Sequence, residues 1–299
     1  MIPRDAVEEL QRAASSPDDG DLPRGALVIA RIEHPHLDPA PSLARLTRLG
    51  ALAMVRLERL GRTAGAYEQI AALNQLLFED EGFHPNEDDY EDPRNSMLND
   101  VLERRTGIPI TLSLVFMEVA RRCGVHAEGV NFPGHFLVKG RSNRFDTEEP
   151  HDIIIDPFNR GAVLTDAQCR ELLRRVAGDE AVFDRRMLAP VGKRGILVRM
   201  LNNVKRLYVG MRSFPQARDA VDLLLALDPL AINELRDRGL IAYHLDDHVR
   251  ALRDLEAYLR ATSRVTASGT EADGQPPDEE HREIWDHVKA LRRRIAGMN

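Results

Sequence analysis

The feature of the sequence that most restricts the fold is a change of period between residues 107 and 158. Pro109 suits a first helical turn, where its missing N–H would have no partner anyway. Apolar side chains then recur at helical spacing, and Gly124 is placed to end the helix in the left-handed conformation. Short β-type runs follow at 127–130, 136–138 and 153–155. This order predicts an antiparallel sheet packed on a buried helix.

The residues before this stretch are typical of helices. Val7, Leu10 and Ala13 predict a short first helix, and the apolar positions from Leu43 to Leu57 predict a longer one with Ser42 as its N-cap. A third predicted helix runs through 67–77, and Thr165 is a candidate N-cap for a helix after the strands. The predicted fold class is therefore α+β and mostly helical.

From about residue 195 the chain repeats itself with a period of 34 residues. The matched pairs are Leu201 with Leu235, Tyr208 with Ala242, Ala217 with Ala251, Val221 with Leu255, and Leu225 with Leu259. A helix-turn-helix unit of this length with small residues at Ala217 and Ala251 resembles the tetratricopeptide repeat. Two copies are fewer than the three or so that a stable solenoid needs. We expect a first domain over 1–190, with its core at about 95–165, and a helical repeat domain over 191–299.

The C-terminal part of that repeat domain has two further features. Residues 264–278 are rich in Ser, Thr, Gly, Pro and acids and predict a flexible linker. A last helix is predicted to carry Ile284, Val288, Leu291 and Ile295 on one face. Trp285, beside that face, is a candidate to dock on the repeats.

Composition excludes several classes of function. Apolar content of 43% and charged content of 30% are those of a chain with a buried core. A net charge of −7 disfavours nucleic-acid binding, which needs a basic surface. Neither a signal peptide nor a membrane span is apparent, so we expect a cytoplasmic protein without cofactor or metal. The acidic loop at 79–92 lacks calcium-loop spacing, and a solvated loop is preferred to a cation site.

The candidate chemistry rests on His135 and Asp156. A thiol hydrolase or transferase needs a nucleophile at a helix N-terminus, a histidine base and a carboxylate that orients the base. His135 and Asp156 are predicted on adjacent strands, facing the start of the helix that Pro109 opens. The alternatives are a hydrogen-bonded structural histidine and a turn-forming aspartate before Pro157.

Several runs resemble known families. Gly107-Ile108 at the head of a helix, Gly124 fifteen residues after position 109, the run 135–138 (His-Phe-Leu-Val) and Asp156-Pro157 resemble the pattern of transglutaminase-like proteins. More closely, residues 90–102, 107–110, 133–137 and 155–158 are similar to the bacterial SirB family, described as regulators of SirC expression. That resemblance covers roughly residues 25–265. It implies a transglutaminase-like, papain-like core followed by tetratricopeptide-like repeats.

The resemblance fails at the nucleophile. Pro109 stands where those proteins carry cysteine, and proline has neither a nucleophile nor an N–H. Cys123 lies at the far end of the same helix, about 21 Å away at 1.5 Å per residue, and Cys169 lies in a later helix. Both thiols are expected to fill space in the core.

Hydroxyl groups are the remaining candidates. Ser113 is on the same helix face as Pro109, one turn on, and Thr111 is in the first turn. Such hydroxyls usually bond to backbone carbonyls instead. Asn131 is a possible polar neighbour of the site, whereas Asn95 and Asn99 are expected to be structural.

Two hypotheses follow. The preferred one is a non-catalytic adaptor that binds a protein or peptide through its helical repeats. The alternative is a hydrolase or acyltransferase in which Ser113, His135 and Asp156 act together. A regulator that binds DNA directly is disfavoured, because the sequence shows no basic helix-turn-helix face.

Overall fold

Helix α6 (Pro109–Arg122) is the centre of the first part of the chain, and every residue from Pro109 to Ala120 is buried. The computed structural model describes residues 2–143, 145–147, 151–268 and 279–296. Contacts divide the chain into two units, Glu8–Met200 and Leu201–Asn299 together with Met1–Val7. The division falls ten residues beyond the expected one at 190, inside a helix.

Six further α-helices begin before residue 190 in the described part of the chain. They are α1 (Arg4–Ser15), α2 (Leu22–Ala30), α3 (Ala40–Leu60), α4 (Ala66–Asn74), α5 (Leu98–Arg104) and α7 (Asp166–Ala177). A π-helix, Gln75–Asp80, continues α4. Short 3-10 helices lie at Asp19–Asp21, Pro93–Ser96, Pro157–Asn159 and Arg185–Leu188.

Two small sheets accompany these helices. Strands β1 (His84–Pro85) and β2 (Thr106–Gly107) pair in parallel. The larger sheet is an antiparallel meander of β3 (Glu128–Val130), β4 (Leu137–Arg141), β5 (Asp152–Asp156) and β6 (Ala162–Leu164). The sheet contains the three predicted strands, and β6 is an addition that sequence reasoning missed. The mostly helical α+β fold is therefore confirmed.

Two predicted helix N-caps can be compared with the structure. Thr165 caps α7 as predicted, because its Oγ1 accepts a hydrogen bond from the backbone N–H of Gln168. The prediction that Ser42 caps α3 is wrong, since the helix already begins at Ala40 with Pro39 at the capping position. Pro41 is tolerated there because first-turn N–H groups have no helical partner.

The second unit consists of helices. Helix α8 (Lys193–Gly210) crosses the division, followed by α9 (Phe214–Leu227), α10 (Ile232–His244), α11 (His248–Ser268) and α12 (Glu279–Ala296). The starts of α9 and α11 are 34 residues apart, as are the ends of α8 and α10. Close packing of α10 on α11 explains the glycine at position 239, because a Cβ there would lie 2.7 Å from the Leu255 side chain.

The end of the chain closes the repeat core. Ile284, Val288 and Leu291 of α12 pack with Leu255 and Tyr258 of α11. Trp285 does not take part in that cluster and is 40% exposed, so the expected docking residue is replaced by the apolar stripe beside it. Of the predicted linker, 264–268 belong to α11, and 269–278 lie outside the described residues.

Candidate functional site

Strand register brings His135 and Asp156 together. Strands β4 and β5 pair Val138 with Ile155, and continuing that antiparallel register places Leu137 opposite Asp156. His135 lies in the turn just before β4 rather than on the strand as predicted, and its backbone N–H donates to the Phe132 carbonyl at 3.1 Å. The turn before His135 requires glycine at position 134, because φ there is +65° and a Cβ would lie 1.9 Å from the Val176 side chain.

The two side chains form a buried hydrogen-bonded pair. His135 Nε2 lies 2.8 Å from Asp156 Oδ1, and the two side chains are 10% and 8% exposed. Asp156 Oδ1 also accepts hydrogen bonds from the backbone N–H groups of Phe158 and Asn159, at 3.1 and 3.4 Å. A carboxylate that accepts from Nε2–H leaves Nδ1 as the acceptor of the neutral ring. This is the tautomer that a general base needs.

Aromatic rings cover the histidine, and sequence reasoning missed them. The Phe158 ring meets His135 edge to face, with centroids 5.8 Å apart, and Tyr90 meets Phe158 in the same way at 6.3 Å. Phe158 directly follows Asp156-Pro157, so its closeness to Asp156 was the available signal. Tyr90 comes from a distant loop, and its position depends on tertiary packing.

The hydroxyl groups at the start of α6 bond to backbone. Thr111 Oγ1 donates to the Asn95 carbonyl at 2.8 Å and accepts from the Ile108 N–H at 3.1 Å. Ser113 Oγ donates to the Phe136 carbonyl at 3.3 Å, and both side chains are fully buried. The structure thus joins His135 to Asp156, while Ser113 is bonded to the residue after His135 and not to its ring.

Pro109 occupies the first position of α6, with Ile108 as the preceding cap residue. It is buried, as are its neighbours along the helix. Helix α6 packs against β4 and against the 3-10 helix Pro157–Asn159, the two segments that adjoin His135 and Asp156. Position 109 therefore begins the helix that supports the pair.

The asparagines have separate roles. Asn95 is fully buried, and its Nδ2 donates to the Asp89 carbonyl while its Oδ1 accepts from Asn86. These bonds fix the loop before α5, and the Asn95 carbonyl that accepts from Thr111 joins this loop to the start of α6. Asn131 accepts a hydrogen bond from Arg199 at 2.9 Å, and Asn99 donates to Asp100.

The thiols are not activated. Burial raises the pKa of Cys169 to about 11, with a further contribution from the Asp166 carboxylate. Burial also raises the pKa of Cys123, whose Sγ donates to the Ala120 carbonyl. A thiol becomes a nucleophile as the thiolate, so both environments oppose reactivity.

In the acidic loop at 79–92, Glu81 forms salt bridges with the arginine side chains of Arg48 and Arg105. Burial opposes ionisation of Glu81, but hydrogen bonds from Arg48 and Arg105 lower its pKa. Among the described residues, no His, Cys, Asp and Glu side chains are grouped in threes that could hold a metal ion. Every helix in the described ranges is too short or too polar to serve as a membrane span.

Comparison with known proteins shows that two protein families match parts of the chain. The transglutaminase-like superfamily matches residues 43–202, and the tetratricopeptide repeat matches residues 204–283. A UPF0162 protein of Xylella fastidiosa strain Temecula1 is 40% identical and covers 81% of this chain and 85% of its own length. A UPF0162 protein of Pseudomonas aeruginosa is 31% identical over 78% of this chain and 82% of its own.

A eukaryotic protein shares part of the chain. The F-box only protein 21 of Homo sapiens is 34% identical over 58% of this chain, a match that spans 28% of its own length. No solved structure matches the chain.

Proposed function

Because this chain belongs to the transglutaminase-like superfamily and to the UPF0162 family, we propose that it is a protein-binding adaptor on a scaffold that lacks a nucleophile. In this proposal the base His135 and its carboxylate Asp156 are retained. Pro109 stands in the place of the catalytic cysteine. The helical repeats bind the partner, which is a protein segment.

One observation supports the loss of catalysis. Ser113 and Thr111 are the hydroxyls at the start of α6, and both donate to backbone carbonyls rather than to His135. A nucleophilic hydroxyl must lie within hydrogen-bond reach of its base, roughly 2.6–3.2 Å. Freeing either group would break a buried hydrogen bond and leave a carbonyl without its partner, which costs about 1–3 kcal/mol.

The second unit supports the binding role. Tetratricopeptide repeats generally mediate protein–protein interaction, and the repeat match covers most of this unit. A groove of about 640 Å³ lies between the start of α10, Thr262 of α11 and His281 of α12. Leu230, at its edge, is 85% exposed, so its apolar side chain is accessible to a bound peptide.

Absence of turnover is tested with the whole protein. It is incubated with activated esters and with glutamine-donor peptides, and its intact mass is followed for an acyl adduct. We expect no adduct and no turnover above the rate of the His135→Ala variant. An adduct on Ser113 or Thr111 that disappears in His135→Ala would establish the enzymatic alternative.

Peptide binding is tested with an array of peptides probed by the labelled protein and by Leu230→Asp. We expect peptides that bind the unchanged protein to lose about tenfold or more in affinity to Leu230→Asp, because a charge enters the apolar edge of the groove. The matched control is Val249→Asp, a second exposed apolar residue of the same unit that lies on α11 outside the groove. Equal losses in the two variants would exclude this groove.

The enzymatic alternative keeps one argument. The Nε2 bond of His135 to a carboxylate leaves Nδ1 as acceptor, as a general base requires. A hydrolase or acyltransferase that uses Ser113 would need the hydroxyl to rotate from the Phe136 carbonyl to that nitrogen. Under either proposal, a regulatory role like that described for the similar SirB proteins would be exerted through another protein.

A further inference from the structure

A second cavity lies away from His135, at the other half of α6. Its volume is about 380 Å³, and it lies between α6, the start of β3 and the segment that leads into α8. Glu118, on its wall, is nine residues beyond Pro109, about 13 Å along the helix at 1.5 Å per residue. Ligand pockets span roughly 300–1,000 Å³, so this one suits a small molecule.

Glu118 is a carboxylate with only one of its oxygens in use. Its side chain is 3% exposed, and Arg121 and Arg122 both donate to Oε2. Among the described residues nothing donates to Oε1. Burial raises the pKa of Glu118, although both arginines oppose that effect. An ionised carboxylate oxygen is a hydrogen-bond acceptor, so Oε1 can accept from a donor in the cavity.

A positive region lies directly beside that oxygen. Arg121 reaches Glu118 Oε2 through Nη2 at 3.3 Å, and its side chain is 39% exposed. Both residues line the cavity. Gly192 and Lys193 bring the first turn of the 18-residue helix α8 to the same space. A helix N-terminus presents free N–H groups and favours an anion.

The wall also has an apolar part, beside the polar side chains of His126 and Glu128. Leu22, Met117 and Ile196 line the cavity, and all three side chains are buried in the protein. The space therefore combines a hydrogen-bond acceptor, a cationic region within a few ångströms of it, and a hydrocarbon surface. A ligand that matches all three has adjacent positive and negative groups and an apolar tail.

We propose that this cavity binds a free α-amino acid with an apolar side chain. Its ammonium group donates to Glu118 Oε1, and its carboxylate accepts from Arg121 and from the start of α8. Its side chain packs on Leu22, Met117 and Ile196. An amino acid carries its ammonium and carboxylate groups on one carbon. The ammonium group therefore faces the Glu118 carboxylate while the carboxylate group faces the Arg121 guanidinium.

Calorimetric titration of the full chain tests the proposal with L-leucine, L-methionine, L-isoleucine and L-phenylalanine. Two probes accompany them: leucinamide, which lacks the carboxylate, and 4-methylpentanoate, which lacks the ammonium group. We expect at least one of the four amino acids to bind with a Kd below about 1 mM, and both probes to bind about tenfold or more weakly. Absence of binding by all four at about 10 mM would overturn the proposal. Equal binding of 4-methylpentanoate would also overturn it, because the site would then be an anion site.

Variants locate the binding. Arg121→Gln leaves the Glu118–Arg122 pair in place and is expected to weaken binding about tenfold or more without changing the melting temperature. Arg175→Gln, an exposed arginine of α7 in an i,i+4 pair with Glu171, is the matched control and is expected to bind normally. Unchanged affinity in Arg121→Gln would overturn the proposal, even if an amino acid binds elsewhere.

Discussion

His135 Nε2 and Asp156 Oδ1 lie 2.8 Å apart, and the same carboxylate oxygen accepts two backbone N–H groups that begin the 3-10 helix Pro157–Asn159. Asp156 therefore orients the histidine and caps the helix at once. A change at either residue of the pair affects stability, but the two changes are not equivalent.

Asp156→Ala is expected to destabilise the protein by about 2–3 kcal/mol, because it removes the bond to His135 and the cap together. His135→Ala is expected to cost less, since the backbone N–H groups keep their acceptor. Urea unfolding followed by circular dichroism measures both values. A larger loss for His135→Ala would contradict this assignment of roles.

The two cysteines are expected to resist iodoacetamide at about pH 8 in the folded protein. The pKa of Cys169 is raised to about 11 against an ordinary value of 9.0, so the thiol stays protonated. Burial acts in the same direction on the pKa of Cys123. Intact mass spectrometry should show both thiols labelled in urea and neither without it. Fast labelling of native Cys169 would contradict the burial argument.

Acid sensitivity is predicted at Asp92. Burial opposes its ionisation, but the hydrogen bonds of Arg94 and the charge of Arg104 lower its pKa. A carboxyl whose pKa is lowered by folding stabilises the protein above its ordinary pKa of 3.8, and this contribution is lost as the pH falls through the lower value.

Asp92→Asn is therefore expected to cost about 1–2 kcal/mol at about pH 6 and less at about pH 2, because the contribution of a carboxyl with a lowered pKa is lost as the pH falls. Urea unfolding at the two pH values gives the comparison. The exposed Asp179, two residues beyond α7, supplies the control Asp179→Asn, which is expected to have little effect at either pH. A cost at Asp92 that does not depend on pH would contradict the prediction.

The repeats predict a stabilising change at His248. This residue lies 34 positions after Phe214, whose ring stacks on His244 with centroids 4.4 Å apart. His248 is buried, and its Nδ1 has no hydrogen-bond partner in the described residues. His248→Phe is expected to raise the free energy of unfolding by about 1 kcal/mol, because it removes a buried polar atom without a partner. His248→Ala, which also loses the ring, should be destabilising; a destabilised Phe variant would contradict the account.

Part of this site could be predicted from the sequence, and the rest could not because it depends on tertiary packing. The closeness of His135 and Asp156 was predictable because short motifs place His135 just before one strand and Asp156 at the end of its neighbour. The repeat helices were predictable because a 34-residue period repeats their packing. Strand β6 and the position of Tyr90 depend on tertiary packing that no local pattern encodes. The hydrogen bonds of Ser113 and Thr111 were open as alternatives, since a hydroxyl in a first turn has several acceptors within reach.

A cysteine introduced by Pro109→Cys restores a thiol at the start of α6, and its reactivity reports on His135. We propose that the site has a base and its carboxylate and lacks only the nucleophile at position 109. The new thiol is then expected to be alkylated by iodoacetamide about tenfold or more faster than the same thiol in Pro109→Cys combined with His135→Ala, because the histidine and the helix N-terminus favour the thiolate. Equal rates in the two variants would contradict the claim, since Pro109 would then not stand in the nucleophile's place.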